Sequence, residues 1–352
     1  MRDFKTYKQK FTLEAKSYGY TDDEIKARLD YAGRLESIGV PIIYDQYHLS
    51  MLLGYSYVYL IGVANYQRGY YKHYEIPKKN GSMREIEEPF PSLKEIQTWI
   101  LDNILTPASK LYVSPVAKAF MPGKNLKDNA RFHRNKKIVV ALDLNDFFGS
   151  VRYGSVYGIF KKIGYNESVT VMLTKLCMLK GALPQGAPTS PMLSNLVFAE
   201  LDKKIFRYCK ERRIMYTRYA DDMTFSSNDM DVTRLIAYVK MMVETRHLKL
   251  NQQKTKVMGR GCSQNVTGVV VNDVMQVPKK YRDKVRQEMY YCIKFGFRGH
   301  MSHVSLPQWV HTPELYKHHL LGKINHILMV NPRDAEFVKY AQWIKESLKR
   351  GF

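Results

Sequence analysis

Hydrophobic positions in the first forty residues recur at helical spacing. Ile25, Leu29, Ala32, Leu35 and Ile38 share one face. Thr21 with Glu24 three residues on makes a capping box, and Gly39 with Pro41 ends the run. Residues 49–61 (Leu52, Leu53, Tyr55, Tyr57, Tyr59, Leu60) are aromatic and aliphatic and read as core. The period then shortens to two. Tyr74-Glu75-Ile76-Pro77 is extended, Lys78-Lys79-Asn80-Gly81 reads as a turn, and Met83-Arg84-Glu85-Ile86 alternates like a returning strand. Asn-Gly between such segments is a strong hairpin signal. Ser92, with Glu95 three residues later, is expected to cap a helix with Ile96, Trp99, Ile100 and Ile104 on its apolar face.

Further along, Lys137-Ile138-Val139-Val140-Ala141-Leu142 predicts a short buried strand that delivers Asp143 at its end. Ser190-Pro191 places an N-cap before a proline at the first helical position. Leu193, Leu196, Val197, Leu201, Ile205 and Tyr208 form the inner stripe of that helix. Ile214–Tyr219 and Met223–Ser226 read as two strands around a tight turn holding Ala220, Asp221 and Asp222. The remainder is helical: Tyr281, Val285, Met289 and Ile293 mark one helix, and another starts at Asn331-Pro332.

The charge balance narrows the partners. The chain of 352 residues has 55 Lys+Arg against 33 Asp+Glu, a net +22. Such a surplus repels itself unless a polyanion neutralises it, and nucleic acid is the first candidate. No apolar run approaches the roughly 18 residues of a membrane span, so no membrane partner is expected. Met1 is followed by Arg2, Asp3, Lys5 and Lys8 with no apolar stretch behind them, so no secretory signal is expected. Cys177, Cys209, Cys262 and Cys292 form no CxxC pair and read as reduced core thiols, which suits a cytoplasmic protein. The histidines are scattered without the Cys or carboxylate pattern of a zinc site.

Two adjacent aspartates in a tight turn between apolar strands repel each other. A divalent cation removes that cost, and Mg²⁺ prefers a few carboxylates with positions left for water and phosphate. Asp143, at a strand end, completes such a cage if the strands are neighbours. Two ions about 4 Å apart would then clamp an in-line phosphoryl transfer.

At these residues the chain resembles the reverse transcriptases. Tyr219-Ala220-Asp221-Asp222 is similar to their YxDD box. Asp143-Leu144-Asn145-Asp146-Phe147-Phe148-Gly149-Ser150-Val151 is similar to motif A, and Leu183-Pro184-Gln185-Gly186-Ala187-Pro188-Thr189-Ser190-Pro191 to motif B. Leu250-Asn251 with Lys254-Thr255 resembles motif D, and Ile76-Pro77-Lys78-Lys79 through Arg84 the fingers hairpin. Two further boxes, Asn129-Ala130-Arg131-Phe132-His133 and Val266-Thr267-Gly268, resemble the NAxxH and VTG elements of bacterial retron reverse transcriptases.

The resemblance implies an α+β right-hand polymerase fold: an N-terminal helical extension over 1–70, fingers over 71–136, a palm of antiparallel sheet plus helices over 137–275, and a helical, RNA-binding thumb over 276–352. It implies that Asp143, Asp221 and Asp222 hold two Mg²⁺ ions and that Lys78 and Arg84 grip the triphosphate of a dNTP. Phe148 matches the gate against a ribose 2′-OH. Gln185 and Gly186 match the nucleotide pocket, and Lys254 the lysine proposed to protonate pyrophosphate. Asn129 and His133 receive structural or RNA-related duty. Val266, Thr267 and Gly268 are placed near the primer strand or bound RNA, and the basic run of Lys279, Lys280, Arg282 and Arg286 on RNA phosphates. The retron family further implies copying of a cognate noncoding RNA into branched, RNA-linked DNA (msDNA), in an anti-phage system with an effector protein. Two alternatives stay open: a scaffold in an RNA–DNA–effector particle, and a group II intron-like or CRISPR-associated reverse transcriptase.

Overall fold

The structure is a computed structural model that describes residues 4–78, 81–246 and 248–349. Helices α1 (Phe4–Ser17), α2 (Asp22–Ile38), α3 (Gln46–Leu53) and α4 (Tyr57–Asn65) precede the hairpin β1 (Tyr71–Pro77) and β2 (Met83–Pro89). Then come α5 (Pro91–Ile100), a π turn over Leu101–Leu105, α6 (Thr106–Tyr112), α7 (Leu126–Ala130), a 3-10 turn over Arg131–His133, and β3 (Ile138–Asp143). Next are α8 (Tyr153–Ile163), α9 (Glu167–Cys177), α10 (Ser190–Glu211), β4 (Met215–Tyr219), β5 (Asp222–Ser227) and α11 (Val232–Glu244). The last elements are β6 (Lys256–Gly259), β7 (Asn265–Val266), β8 (Val269–Val270), α12 (Lys279–Met301), α13 (Pro313–Val330) and α14 (Ala335–Lys349).

Two compact units emerge, one of residues 1–121, 144–205 and 240–249 and the other of 122–143, 206–239 and 250–352. The division passes through α10 and α11. In the first unit, α2 forms as its sequence dictates. Thr21 Oγ1 accepts from Glu24 N–H, Glu24 reaches back to Thr21 N–H, and Gly39 closes the helix at φ 79°. The hairpin β1–β2 is antiparallel with Ile76 opposite Arg84. Lys79 and Asn80 of the expected turn lie outside the described residues, as do Met1, Arg2 and Asp3. Gln97 is fully buried and donates to Tyr71 Oη and to the Leu176 carbonyl, both at 2.8 Å, so an amide joins β1, α5 and α9 inside an apolar interior.

In the second unit, four antiparallel strands run in the order β4-β5-β3-β6. One continuous core joins this sheet to the C-terminal helices, with Val139, Met258, Val266 and Val269 contiguous with Val285, Leu320, Ile324, Phe337 and Ile344. Arg286 clamps α12 to α14 through two 2.8 Å bonds from Nε to the Glu336 carboxylate.

Several expectations need correction. Residues 49–61 are not core throughout: Leu52 is 41% and Tyr57 37% exposed. Here α3 and α4 are short, separately capped helices that bury Leu49 and Ser50 on one and Leu60, Val63 and Ala64 on the other. Ser92 does not cap α5, because Pro91 occupies the first position and the Ser92 hydroxyl pairs with Tyr59 Oη. Cys262 is exposed, whereas Cys177, Cys209 and Cys292 are buried. Asn331-Pro332 precedes the last helix, which begins at Ala335, and the whole of α13 lies ahead of it. No helix among the described residues is long and apolar enough to cross a membrane.

Candidate active site

The apolar run Val139, Val140, Ala141 and Leu142 buries β3 within the sheet and carries its last residue to the rim. Asp143 there stands directly opposite Asp222, the first residue of β5. Directly opposed residues on antiparallel strands bring their Cβ atoms to about 5 Å. Tyr219 pairs with Asp222 on the other side, so the β4–β5 hairpin turns through only Ala220 and Asp221. Ala220 has φ 57°, a left-handed conformation that costs a non-glycine residue about 1 kcal/mol or more. Arg218, 1% exposed, donates from Nη1 to the Ala220 carbonyl at 3.0 Å and holds this turn. The three aspartates therefore converge from positions far apart in the chain.

Their electrostatics follow from that convergence. Partial burial, then Asp221, then Asp143 push the Asp222 carboxyl up to about 6. Asp222 still reaches water, so the like charges are the part that a cation would reverse. Asp143 is 5% exposed and accepts from Lys254 Nζ at 2.9 Å. The Asp143 carbonyl also accepts from Asn251 N–H at 2.8 Å, so the segment ahead of β6 is tied to Asp143 by backbone and side chain together. The Asp143 hydrogen bond raises the Lys254 pKa and keeps the ammonium charged. Among the described residues no three His, Cys, Asp or Glu side chains already stand at metal-coordinating spacing. The donor set fits hard divalent ions nonetheless: three carboxylates, one of them held above its ordinary pKa by burial and by the other two. Asp143 would exchange Lys254 for the ions.

A cavity of about 460 Å³ opens beside this rim, bounded by Asp143, Asp222, Lys254, Lys256, Asn265 and Thr267. Sequence reading passed over Lys256, although β6 pairs it with Ala141 two residues before Asp143. A lysine in alternation with Lys254 was the available signal.

The NAxxH-like segment is internal. His133 is fully buried, with Nδ1 2.8 Å from Ser226 Oγ and Nε2 2.7 Å from Thr217 Oγ1, so the ring bridges β5 and β4 behind the aspartate turn. Asn129, also fully buried, donates from Nδ2 to Thr267 Oγ1 at 3.3 Å. Neither side chain can touch RNA, which corrects that half of their expected role. Val266 is buried as well, while Thr267 is half-buried with φ 47° and Gly268 exposed. Arg286 is half-buried and pairs with Glu336 and Asp283. Lys279 and Lys280 are exposed and Arg282 half-buried.

Burial pushes the His133 imidazole down to about 3 from its ordinary 6.5. Between those values the unfolded chain binds a proton at this ring and the folded chain does not. Stability is therefore lost as pH falls through that window, by about 1.4 kcal/mol per pH unit. Urea midpoints measured from neutral pH down to about 5 should fall more steeply for the wild type than for His133→Gln; equal slopes would acquit the imidazole.

The nucleotide-pocket candidates lie in the other unit. Gln185 accepts through its carbonyl from Glu87 N–H at 2.8 Å, and Gly186 sits at φ 136° against the same residue. Phe148 is half-exposed, with ring centroids 6.3 Å from Phe120 and 5.3 Å from Phe147. Phe147 is buried against Phe198 at 4.7 Å, so the two adjacent rings divide between packing and display. Lys78 and Arg84 are both exposed, and Lys78 N–H continues the hairpin by donating to the Ser82 carbonyl at 2.7 Å.

Known proteins resemble this chain in sequence. The sequence profile of the family described as reverse transcriptase (RNA-dependent DNA polymerase) matches residues 76–286. The Retron Ec86 reverse transcriptase of Escherichia coli is 33% identical over 77% of this chain and 85% of its own. The Retron Mx65 reverse transcriptase of Myxococcus xanthus is 31% identical over 86% of this chain and 72% of its own. Among solved structures, telomerase from Candida albicans in complex with a fragment of telomeric RNA aligns at TM-score 0.47 and 10% identity, covering 80% of this chain and 64% of that one. The chain belongs to the retron reverse transcriptases, RNA-directed DNA polymerases of the right-hand fold.

Proposed function

We propose that this protein copies a structured cognate noncoding RNA into single-stranded DNA that stays joined to it as msDNA. In the same proposal the RNA–DNA product acts in the cytoplasm within an anti-phage system, with an effector protein as further partner. The observation that carries the catalytic part is the pairing of Asp143 with Asp222 across β3 and β5, beside a two-residue turn bearing Asp221. The retron relatives support the RNA partner. The proposed subdomains are the helical extension (1–70), fingers (71–136), palm (137–275) and thumb (276–352).

Divalent ions, proposed as two Mg²⁺, would supply charge neutralisation for the attacking 3′-oxygen and the leaving pyrophosphate when bound. Asp143, Asp221 and Asp222 would hold them. Lys254, charged and with a largely exposed side chain, gives a proton to the pyrophosphate in this proposal. In the other unit, Lys78 and Arg84 pair with triphosphate oxygens of the dNTP, while Gln185 and Gly186 border its base and sugar. Lys279, Lys280 and Arg282 neutralise RNA phosphates.

Phe148 acts as the gate against a 2′-OH. Phe148→Val is expected to improve rNTP use relative to dNTP use by roughly tenfold to a hundredfold in kcat/KM. An unchanged ratio would return Phe148 to packing alone.

The proposal as a whole is tested on nucleic acid purified with the protein. A 2′,5′-linked RNA–DNA branch, seen as a product resistant to separation until a debranching treatment, is the expected result. Unbranched RNA with no joined DNA would remove msDNA while leaving the polymerase in place.

A further inference from the structure

The sheet face that carries the aspartates continues inward from the rim. Asp143 and Asp222 form its outer row. Thr224, Ala141 and Lys256 form the next row on the same face, two residues or about 7 Å further along the strands. The cavity of about 460 Å³ is lined by both rows. One wall is acidic, with Asp143 and Asp222. The other is made by Lys256 and by Asn265 and Thr267 of the β7–β8 hairpin.

That second wall is built of donors. Asn265 Oδ1 accepts from Gly268 N–H at 2.9 Å, which fixes the amide and leaves its Nδ2 without a partner among the described residues. Thr267 Oγ1 accepts from Asn129 Nδ2 at 3.3 Å, so its own O–H is left to donate. Both side chains are half-buried rather than sealed off. Lys254 is bonded to Asp143, but Lys256 is exposed and makes no ion pair among the described residues. Its charge still reaches the rim: burial, Asp221 and Asp143 raise the Asp222 carboxyl, while Lys254 and Lys256 lower it. Donors facing carboxylates across one cavity suit an anion held beside the ions that the carboxylates would bind.

The start of a 2′,5′-linked branch supplies such an anion. A primer that ends in a 3′-hydroxyl carries no phosphate beyond its attacking oxygen. An internal nucleotide that attacks through its 2′-oxygen carries one on the neighbouring 3′-oxygen. That charge would stand next to three carboxylates, and a cation must offset the repulsion. We propose that Lys256, Asn265 and Thr267 bind the 3′-phosphate of the priming nucleotide and so select its 2′-hydroxyl as the nucleophile. Lys256 pairs with the phosphate, and Asn265 Nδ2 and the Thr267 O–H donate to its oxygens. The 2′-oxygen bonds to the α-phosphorus of the dNTP, the bond to pyrophosphate breaks, and the hydroxyl proton passes to solvent. The 3′-phosphate stays intact. Lys256 thus serves initiation and loses this partner once the growing strand ends in a 3′-hydroxyl. The inference rests on the msDNA reading.

The test uses the full chain freed of nucleic acid, with Mg²⁺, dTTP and a poly(rA) template. One primer is oligo(dT). The other is oligo(dT) ending in uridine 3′-phosphate, whose only nucleophile at that end is the 2′-hydroxyl. The wild type is expected to extend both, with an alkali-resistant junction in the second product. Lys256→Gln is expected to lower the ratio of 2′- to 3′-extension about tenfold, the scale of one charge-assisted hydrogen bond. Lys256→Arg keeps the charge and should recover most of that loss. Asn265→Asp keeps the acceptor for Gly268 N–H but puts a negative oxygen in place of the donors, so it should lower the ratio as well. Equal losses on both primers would assign Lys256 to the primer strand in general, and an unchanged ratio would leave it a solvated lysine; each overturns the site. A wild type that extends only oligo(dT) overturns it too, and one inert on both primers removes the polymerase reading and the site together. The msDNA reading stands or falls separately, on the branch in nucleic acid purified with the protein.

Discussion

Asp221→Asn with Asp222→Asn is expected to lower DNA synthesis by at least about a thousandfold while leaving the protein as stable as the wild type or more so. The first half follows from the chemistry. Ions that hold the attacking and leaving oxygens stabilise the transition state by several kcal/mol, and about 1.4 kcal/mol is a factor of ten. The second half follows from the hairpin. Asp222 has its carboxyl raised to about 6 by burial and by Asp221 and Asp143. Its folded pKa exceeds its unfolded one, so in the ion-free protein its favourable contribution is present at low pH and is lost as pH rises through about 6. Replacement by Asn removes that repulsion without changing side-chain shape. A functional site that opposes stability is the pattern expected where charges are gathered for a ligand. Melting temperatures taken in chelator, together with primer extension in Mg²⁺, read both halves. Retained synthesis would refute the metal assignment, and a protein unfolded by the exchange would refute the electrostatic account.

Much of this site could be read in the sequence because it is local. The strand ending at Asp143, the turn at Ala220 and Asp221, and the hairpin over 71–89 are set by an apolar run, by turn residues and by alternation, each within about twenty positions. The facing of Asp143 and Asp222 needed a pairing register, which spacing does not encode but which the apolar faces of β3 and β5 enforce. The misses have a common physical origin. Tyr55, Tyr57 and Leu52 look like core by composition, yet burial depends on which side of two short helices finds a neighbour. For Asn129 and His133 the sequence leaves structural and RNA-related duty open, because the partners that decide it lie more than forty residues away, at Thr267 and at Thr217 and Ser226, as does the Glu336 that pairs with Arg286. Inward hydroxyls at Thr217 and Ser226 on apolar strands were the trace that such a buried partner leaves.

Gly186→Ala is the other substitution with a large expected effect, and it separates close packing from backbone freedom. A Cβ at Gly186 would lie 2.7 Å from the Glu87 carbonyl oxygen, 3.1 Å from its carbon and 3.3 Å from Ile86 Cγ2, on a backbone at φ 136°. The obstacle is mostly main chain, so no rotamer change relieves it. Either β2 or the loop through Gln185 must move, and the 2.8 Å bond from Glu87 N–H to the Gln185 carbonyl joins those two segments at this point. Movement there displaces Gln185 and the hairpin bearing Arg84 together. A displacement near 1 Å at a positioning element costs on the order of a hundredfold in rate, so kcat/KM for dNTP should fall about that far, mainly through KM. Destabilisation of about 2–4 kcal/mol should accompany it. Gly54→Ala serves as the comparison. Gly54 also has positive φ, 73°, but nothing lies within 4 Å of its Cβ position. It should lose only about 1 kcal/mol and leave the dNTP KM unchanged. If the two variants behave alike, left-handed backbone strain alone explains Gly186, and the contact between β2 and the Gln185 loop carries no catalytic weight.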